Sequence, residues 1–196
     1  MKKCTAFILM LLINMSFGYA QTKLSELDLV AFKDRAKVSV RHLQNYIIML
    51  ASKTKDSIKK TYYKEEALKL FKNRGNDVIM EVSTLKNEKE SRVRLPLIKY
   101  FDNIISLTET HGKYAQVSIT FAETWRVSNL HKIDDKKYRA TATIFQKFVG
   151  YGADGTAKYE DTTKKTIEID VEKITDLYGE RWIVLLGDIS VAETSR

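Results

Sequence analysis

Cysteine, proline and histidine are almost missing from this chain of 196 residues, which has one Cys, one Pro and three His. A single cysteine excludes a disulfide framework and a cysteine-rich zinc site. The histidines, His42, His111 and His131, are scattered and offer no pair at metal-ligand spacing. One proline and eight glycines leave no Pro/Gly/Ser-rich linker, no low-complexity tract, no phosphate-cradling glycine loop and no nucleophile elbow. A bilayer-spanning helix needs about 20 apolar residues, and the run FILMLLI at 7–13 falls well short of that. What the chain has is charge and apolar bulk: 33 Lys+Arg against 25 Asp+Glu, a net charge of +8, with 44% hydrophobic residues. That balance belongs to a globular domain.

The short apolar run has a setting. Lys2 and Lys3 precede it, and Gly18 and Ala20 place small residues at −3 and −1 of a cut before Gln21. This is the pattern of a secretory signal peptide over 1–20; the alternative is an uncleaved anchor. Cys4 lies before the apolar run, which disfavours a lipid anchor. Removing 1–20 takes away Lys2, Lys3 and the one cysteine but no acid, so 31 basic and 25 acidic residues remain, a charge of +6. The expected domain is single and covers 21–196.

Leu29, Phe32, Ala36, Val40, Leu43, Ile47 and Leu50 recur at steps of three and four. They predict a long helix over 25–52. Ile58, Tyr62, Ala67, Leu70 and Phe71 predict a second helix, closed by Lys69, Lys72 and Arg74 and by Gly75 as its cap. The stretch 77–85 reads as a strand, with a short return over 92–94. Pro96 suits the first turn of a third helix that ends near Leu107. Alternating residues then predict strands over 114–128, 137–149 and 166–174, with Asp154-Gly155 as a hairpin turn. The run Trp182-Ile183-Val184-Leu185-Leu186, apolar on both faces, predicts a central strand within 181–191. Helices followed by an antiparallel meander mean an α+β domain, one sheet face on the helices and the other, rich in Thr, Ser, Lys and Glu, towards water or a partner.

This order of elements over about 25–194 resembles the nuclear transport factor 2-like (cystatin-like cone) superfamily. The stretches IFQKFVGYGADGTAKYEDTTKK and WIVLLGDISVAET look like exported bacterial members of uncharacterised function. The resemblance implies a bent sheet wrapping the helices into a cone, with a pocket between them. Some members are small-molecule isomerases or dehydratases; others are scaffolds that dimerise or bind peptides through the sheet. No catalytic residue is carried over, because no family motif maps onto this chain.

Three polar residues interrupt apolar strand faces: Glu123 between Phe121 and Trp125, Gln146 between Ile144 and Phe148, and Asp188 after Trp182, Val184 and Leu186. If the alternation holds they point inward, where a carboxylate is costly unless paired. Glu123, Gln146 and Asp188, with Trp125 at a pocket mouth, are the pocket candidates; a bulge would reverse their parity and return them to solvent. Asp154, Asp161 and Glu160 look superficially like a calcium loop but lack its ligand ladder. Lys53, Lys55, Lys59, Lys60 and Lys64 crowd the helical hairpin as a cationic patch or a solvated face.

The leading reading is an exported, non-catalytic module of the bacterial envelope that binds a small ligand or a protein. The alternatives are a small-molecule isomerase or hydrolase with a carboxylate base in the cone, and envelope-glycan binding through the lysine patch. No cofactor, no metal, no nucleic-acid partner and no membrane insertion after signal cleavage are expected. Thr141, Thr143 and Phe145 mark an outer sheet face that could pair two copies.

Overall fold

A computed structural model describes residues 23–53, 56–86, 89–108, 112–123 and 125–195. The segment 1–20, Lys55 and His111 lie outside them. Helix α1 (Glu26–Ala51) starts at Ser25, whose hydroxyl accepts from the Asp28 amide while Asp28 accepts from the Ser25 amide at 3.0 Å. That reciprocal capping box satisfies two backbone groups otherwise left unpaired at the helix start. Its stripe of Phe32, Ala36, Val40, Leu43, Ile47 and Leu50 is buried, as the spacing requires. Helix α2 (Ser57–Leu68) is capped by Asp56, which accepts from Lys59 N at 3.1 Å. Helix α3 (Leu97–Ser106) buries Leu97, Tyr100, Phe101 and Ile104.

α2 corrects the sequence reading in two ways. It stops at Leu68, and Ile58 (81% exposed) and Tyr62 (58% exposed) face outward. Phe71 leaves the helix, takes an extended conformation, and bridges Leu186. A tight 3-10 turn, Lys72–Gly75, follows, with Asn73, Arg74 and Gly75 at φ of 43°, 50° and 77°. Only glycine adopts such values without strain, and Gly75 has a second reason to lack a side chain: a Cβ there would meet Leu68 Cδ2 at 2.8 Å.

The strands are β1 (Ile79–Lys86), β2 (Lys89–Pro96), β3 (Gln116–Phe121), β4 (Arg126–Val127), β5 (His131–Asp134), β6 (Lys137–Tyr151), β7 (Ala157–Asp176) and β8 (Gly179–Ser195). They form one sheet in the order β2-β1-β8-β7-β6-β3, with β4 and β5 also pairing with β6. All pairings are antiparallel except β1 with β8, which is parallel and reduced to Met80 opposite Ile189. The sheet is therefore mixed rather than a pure meander, and β8 is interior to it, as its apolar run predicts. Register shifts at Lys164/Lys165 and Ile167/Ile169 mark bulges in the β7–β8 ladder, and bulges bend a strand.

The helices cover one face of this sheet. Ala36, Val40, Leu43, Ile47 and Leu50 of α1 pack with Phe101 and Ile104 of α3 against Ala140, Ala142, Ile144, Ile167, Ile169 and Leu186. A smaller cluster of Leu24, Phe32, Tyr138 and Val171 closes the end near the start of α1. This α+β arrangement, three helices on the inner face of a mainly antiparallel sheet, is the one the resemblance implies.

Candidate functional site

The inner face of β7 changes character along its length. Ile167, Ile169 and Val171 continue the apolar core, but Asp161, Thr163 and Lys165 occupy the same row and are just as buried, at 5%, 4% and 3% exposure. Cross-strand register sets their neighbours: Phe148 opposite Asp161, Gln146 opposite Thr163, Ile144 opposite Lys165. On the far sides stand Phe121 beside Gln146 and Thr194 beside Thr163. From above, α3 contributes Tyr100, whose ring centroid lies 5.4 Å from the Lys165 ammonium. A polar band thus crosses an otherwise apolar interior.

Three groups in this band carry the chemistry. Burial pulls the Lys165 ammonium down to about 8, with Asp161 acting in the opposite direction. Desolvation favours the neutral amine. Burial likewise pushes the Tyr100 hydroxyl up, offset in part by the neighbouring Gln146 amide, so Tyr100 stays a proton donor. Tyr100 Oη and Gln146 Oε1 are buried against each other, a donor facing an acceptor, at a geometry short of a full hydrogen bond. Buried polar atoms are nearly always paired, and a small adjustment of either side chain would close this pair or open both to a third group. Asp161 is engaged, accepting the hydroxyl of Tyr159.

An aromatic ladder borders the band. Tyr114, Phe148 and Tyr159 stack edge to face with centroids 5.7 and 5.9 Å apart. The Lys113 ammonium lies 5.2 Å from Tyr114 and 5.8 Å from Tyr159. Tyr114 lies flat on backbone, since a Cβ at Gly150 would meet its ring at 2.4 Å.

The sequence candidates divide. Gln146 is inside, as its alternation predicts (7% exposed). Glu123 is exposed: β3 ends at Phe121 and pairing with β6 resumes at Arg126 with two residues to spare, so the inward row of Val117, Ile119 and Phe121 continues at Val127 but is interrupted at Glu123. Trp125 is half-buried and packs on the main core. Asp188 is half-buried and accepts from the Ile79 amide at 2.9 Å. Its counterpart is Glu81, which accepts from the Val191 amide at 2.7 Å. The two carboxylates clamp β1 to β8 where the parallel ladder offers little, and Arg92 adds bonds to the carbonyls of Val191 (2.8 Å) and Ala192 (3.3 Å).

Asp154 supports a hairpin turn rather than a cation: it accepts from the Thr156 amide and hydroxyl and pairs with Lys158. Among the described residues no group of three or more His, Cys, Asp or Glu converges as a metal site. Of the lysine patch, Lys59 pairs with Asp56, Lys64 pairs with Asp102, and Lys60 is buried. His42 and His131 are exposed.

Thr163 and Lys165 escape the sequence reading, Asp161 and Tyr159 enter it only through the likeness to a calcium loop, and Tyr100 only as an aromatic of the core or cone lining. Residues 157–166 are polar in both alternating rows, so no face stands out. The Asp154-Gly155 hairpin pairs Tyr151 with Ala157, and a register shift at Gly150/Tyr151 then sets Lys165 opposite Ile144, a residue that is plainly apolar and inward; without the shift Lys164 would stand there.

No family model matches the sequence, and no curated protein matches it. Solved structures with a similar fold include a protein assigned as a scytalone dehydratase from Novosphingobium aromaticivorans. It is 10% identical, with a TM-score of 0.46, over 86% of this chain and 90% of that one. Another is a hexachlorocyclohexane dehydrochlorinase (LinA) type 2, 9% identical, with a TM-score of 0.37, over 87% and 92% of the two chains.

Proposed function

We propose that the protein is a non-catalytic binding module that takes a small acid in the polar band between the helices and the sheet. The observation that carries this reading is the buried Lys165 ammonium over the Tyr100 ring, beside Tyr100 Oη and Gln146 Oε1, whose contact with each other falls short of a full hydrogen bond. A carboxylic acid or comparable oxyacid would accept from Tyr100 and Lys165 and restore the charge that burial disfavours on the lysine. Gln146 would meet a hydroxyl or amide of the same ligand. Of the bases named for the enzyme alternative, Glu123 is solvated, and Asp188 is half-buried and accepts the Ile79 amide through Oδ1. The chain is further read as exported, supported by the charge, apolar run and small-residue exit of 1–20.

Titration of the labelled protein with acetate, benzoate and succinate, followed by NMR, tests the binding site. Shifts centred on Tyr100, Gln146 and Lys165, with tighter binding as pH falls below about 8, are expected. Absence of any such shift at saturating acid overturns the reading. Mass spectrometry of the protein recovered from its native host tests export, which requires a chain beginning at Gln21.

A further inference from the structure

A cavity lies at the end of the inner face away from the polar band, where the start of α1 meets the β7–β8 hairpin. It measures about 470 Å³ and is lined by Leu24, Asp28, Phe32, Arg35, Lys173, Glu180, Arg181 and Trp182. Small-molecule sites usually occupy about 300–1,000 Å³ and combine an apolar floor with a few placed polar groups. The floor here is Leu24, Phe32 and Trp182, and Trp182 is fixed by an edge-to-face contact with Tyr138 at 5.6 Å.

The charges around it are almost all used. Asp28 is held by Ser25 in the capping box. Lys173 pairs with Glu180 at 2.5 Å, and Arg181 pairs with Asp176 at 2.7 Å. Arg35 differs: its guanidinium lies over the Phe32 ring at 4.9 Å, and no carboxylate pairs with it among the described residues. A guanidinium stacked on a ring keeps its planar fork of donors free for a planar acceptor.

We infer that this cavity is a second ligand site, for a flat aromatic monocarboxylate whose ring lies on Trp182 and Leu24 and whose carboxylate pairs with Arg35. Arg35 is the one lining cation without an acid partner among the described residues, and one carboxylate fills that place, while Asp28 keeps its own negative charge beside Ser25. A dianion such as a phosphate monoester would bring its second charge towards Asp28 and Glu180, so the monocarboxylate is the better fit. The site is independent of the polar band.

The probe is naphthalene-2-carboxylate, with the neutral naphthalene-2-carboxamide as control, observed through the indole N–H signals of Trp125 and Trp182. The carboxylate is expected to shift Trp182 and leave Trp125 in place. Arg35→Gln is expected to weaken the carboxylate at least tenfold and leave the amide unchanged; Arg35 is exposed, so the variant folds. Lys165→Met is expected to leave binding at Trp182 intact, which separates this site from the interior one. Equal affinity for acid and amide, loss of binding in Lys165→Met, or an unmoved Trp182 at the solubility limit each overturns the inference.

Discussion

Lys165 and Asp170 are buried charges solved in opposite ways. Lys165 meets an aromatic face and a nearby acid and is held at about 8, below the ordinary 10.5. Its folded-state proton affinity is depressed, so the unfolded chain binds the proton more tightly between these values. The lysine's destabilising effect is therefore full below about pH 8 and disappears as pH rises towards 10.5. The difference is on the order of 3 kcal/mol. Lys165→Met is expected to be more stable than the parent at pH 7 in urea unfolding, with the gap closing by pH 10. Asp170 alternates with Ile169 and Val171 and so lies on the outer sheet face, yet it is fully buried under Lys72, Lys137 and Arg139. Burial opposes its ionisation, but the hydrogen bonds from Arg139, Lys72 and Lys137 outweigh it and hold the carboxyl at about 2. Its pKa is depressed, so it stabilises the fold above about pH 4, and that contribution, roughly 2 kcal/mol, is lost as pH falls towards 2. Asp170→Asn is expected to flatten the acid limb of a stability–pH curve.

Among the elements, the β1–β2 hairpin is held to the rest of the sheet largely by side chains. Met80 opposite Ile189 is the sole ladder pair between β1 and β8 among the described residues, so the bonds of Asp188, Glu81 and Arg92 to backbone supply what the ladder lacks. Asp188→Ala leaves the Ile79 amide unpaired and is expected to cost about 1–3 kcal/mol. Faster hydrogen exchange at Ile79, with β6 and β7 unchanged, would identify the loss as local. Gly150→Ala drives a Cβ into the Tyr114 ring. It is expected to cost about 1–3 kcal/mol and to move the near-UV circular dichroism of the Tyr114–Phe148–Tyr159 ladder. Legibility at this scale followed the amphipathic signal. The long helix expected over 25–52 is Glu26–Ala51, and the third helix expected to end near Leu107 ends at Ser106. The strand expected over 166–174 is Ala157–Asp176, because its first half shows no contrast between faces. The strand expected over 114–128 breaks after Phe121, and that break carries Glu123 into solvent.

For the molecule as a whole, the sheet separates a packed half, where α1 lies on Ala140, Ala142, Ile167 and Ile169, from a half where α3 covers polar side chains. The sequence by itself determined the element order, the α+β class, the long helix and its buried stripe, and the scarcity of cysteine and of histidine at metal-ligand spacing. Those are properties of local period and composition, which neighbours along the chain suffice to express. Only the tertiary structure decided that Lys165 and Asp161 face inward, that Asp188 accepts a backbone amide, and that Arg35 stands without an acid among the described residues. Burial and pairing depend on which residues distant in sequence cover a side chain. Where both rows of a strand are polar, or a strand breaks in mid-course, register and packing alone assign the faces.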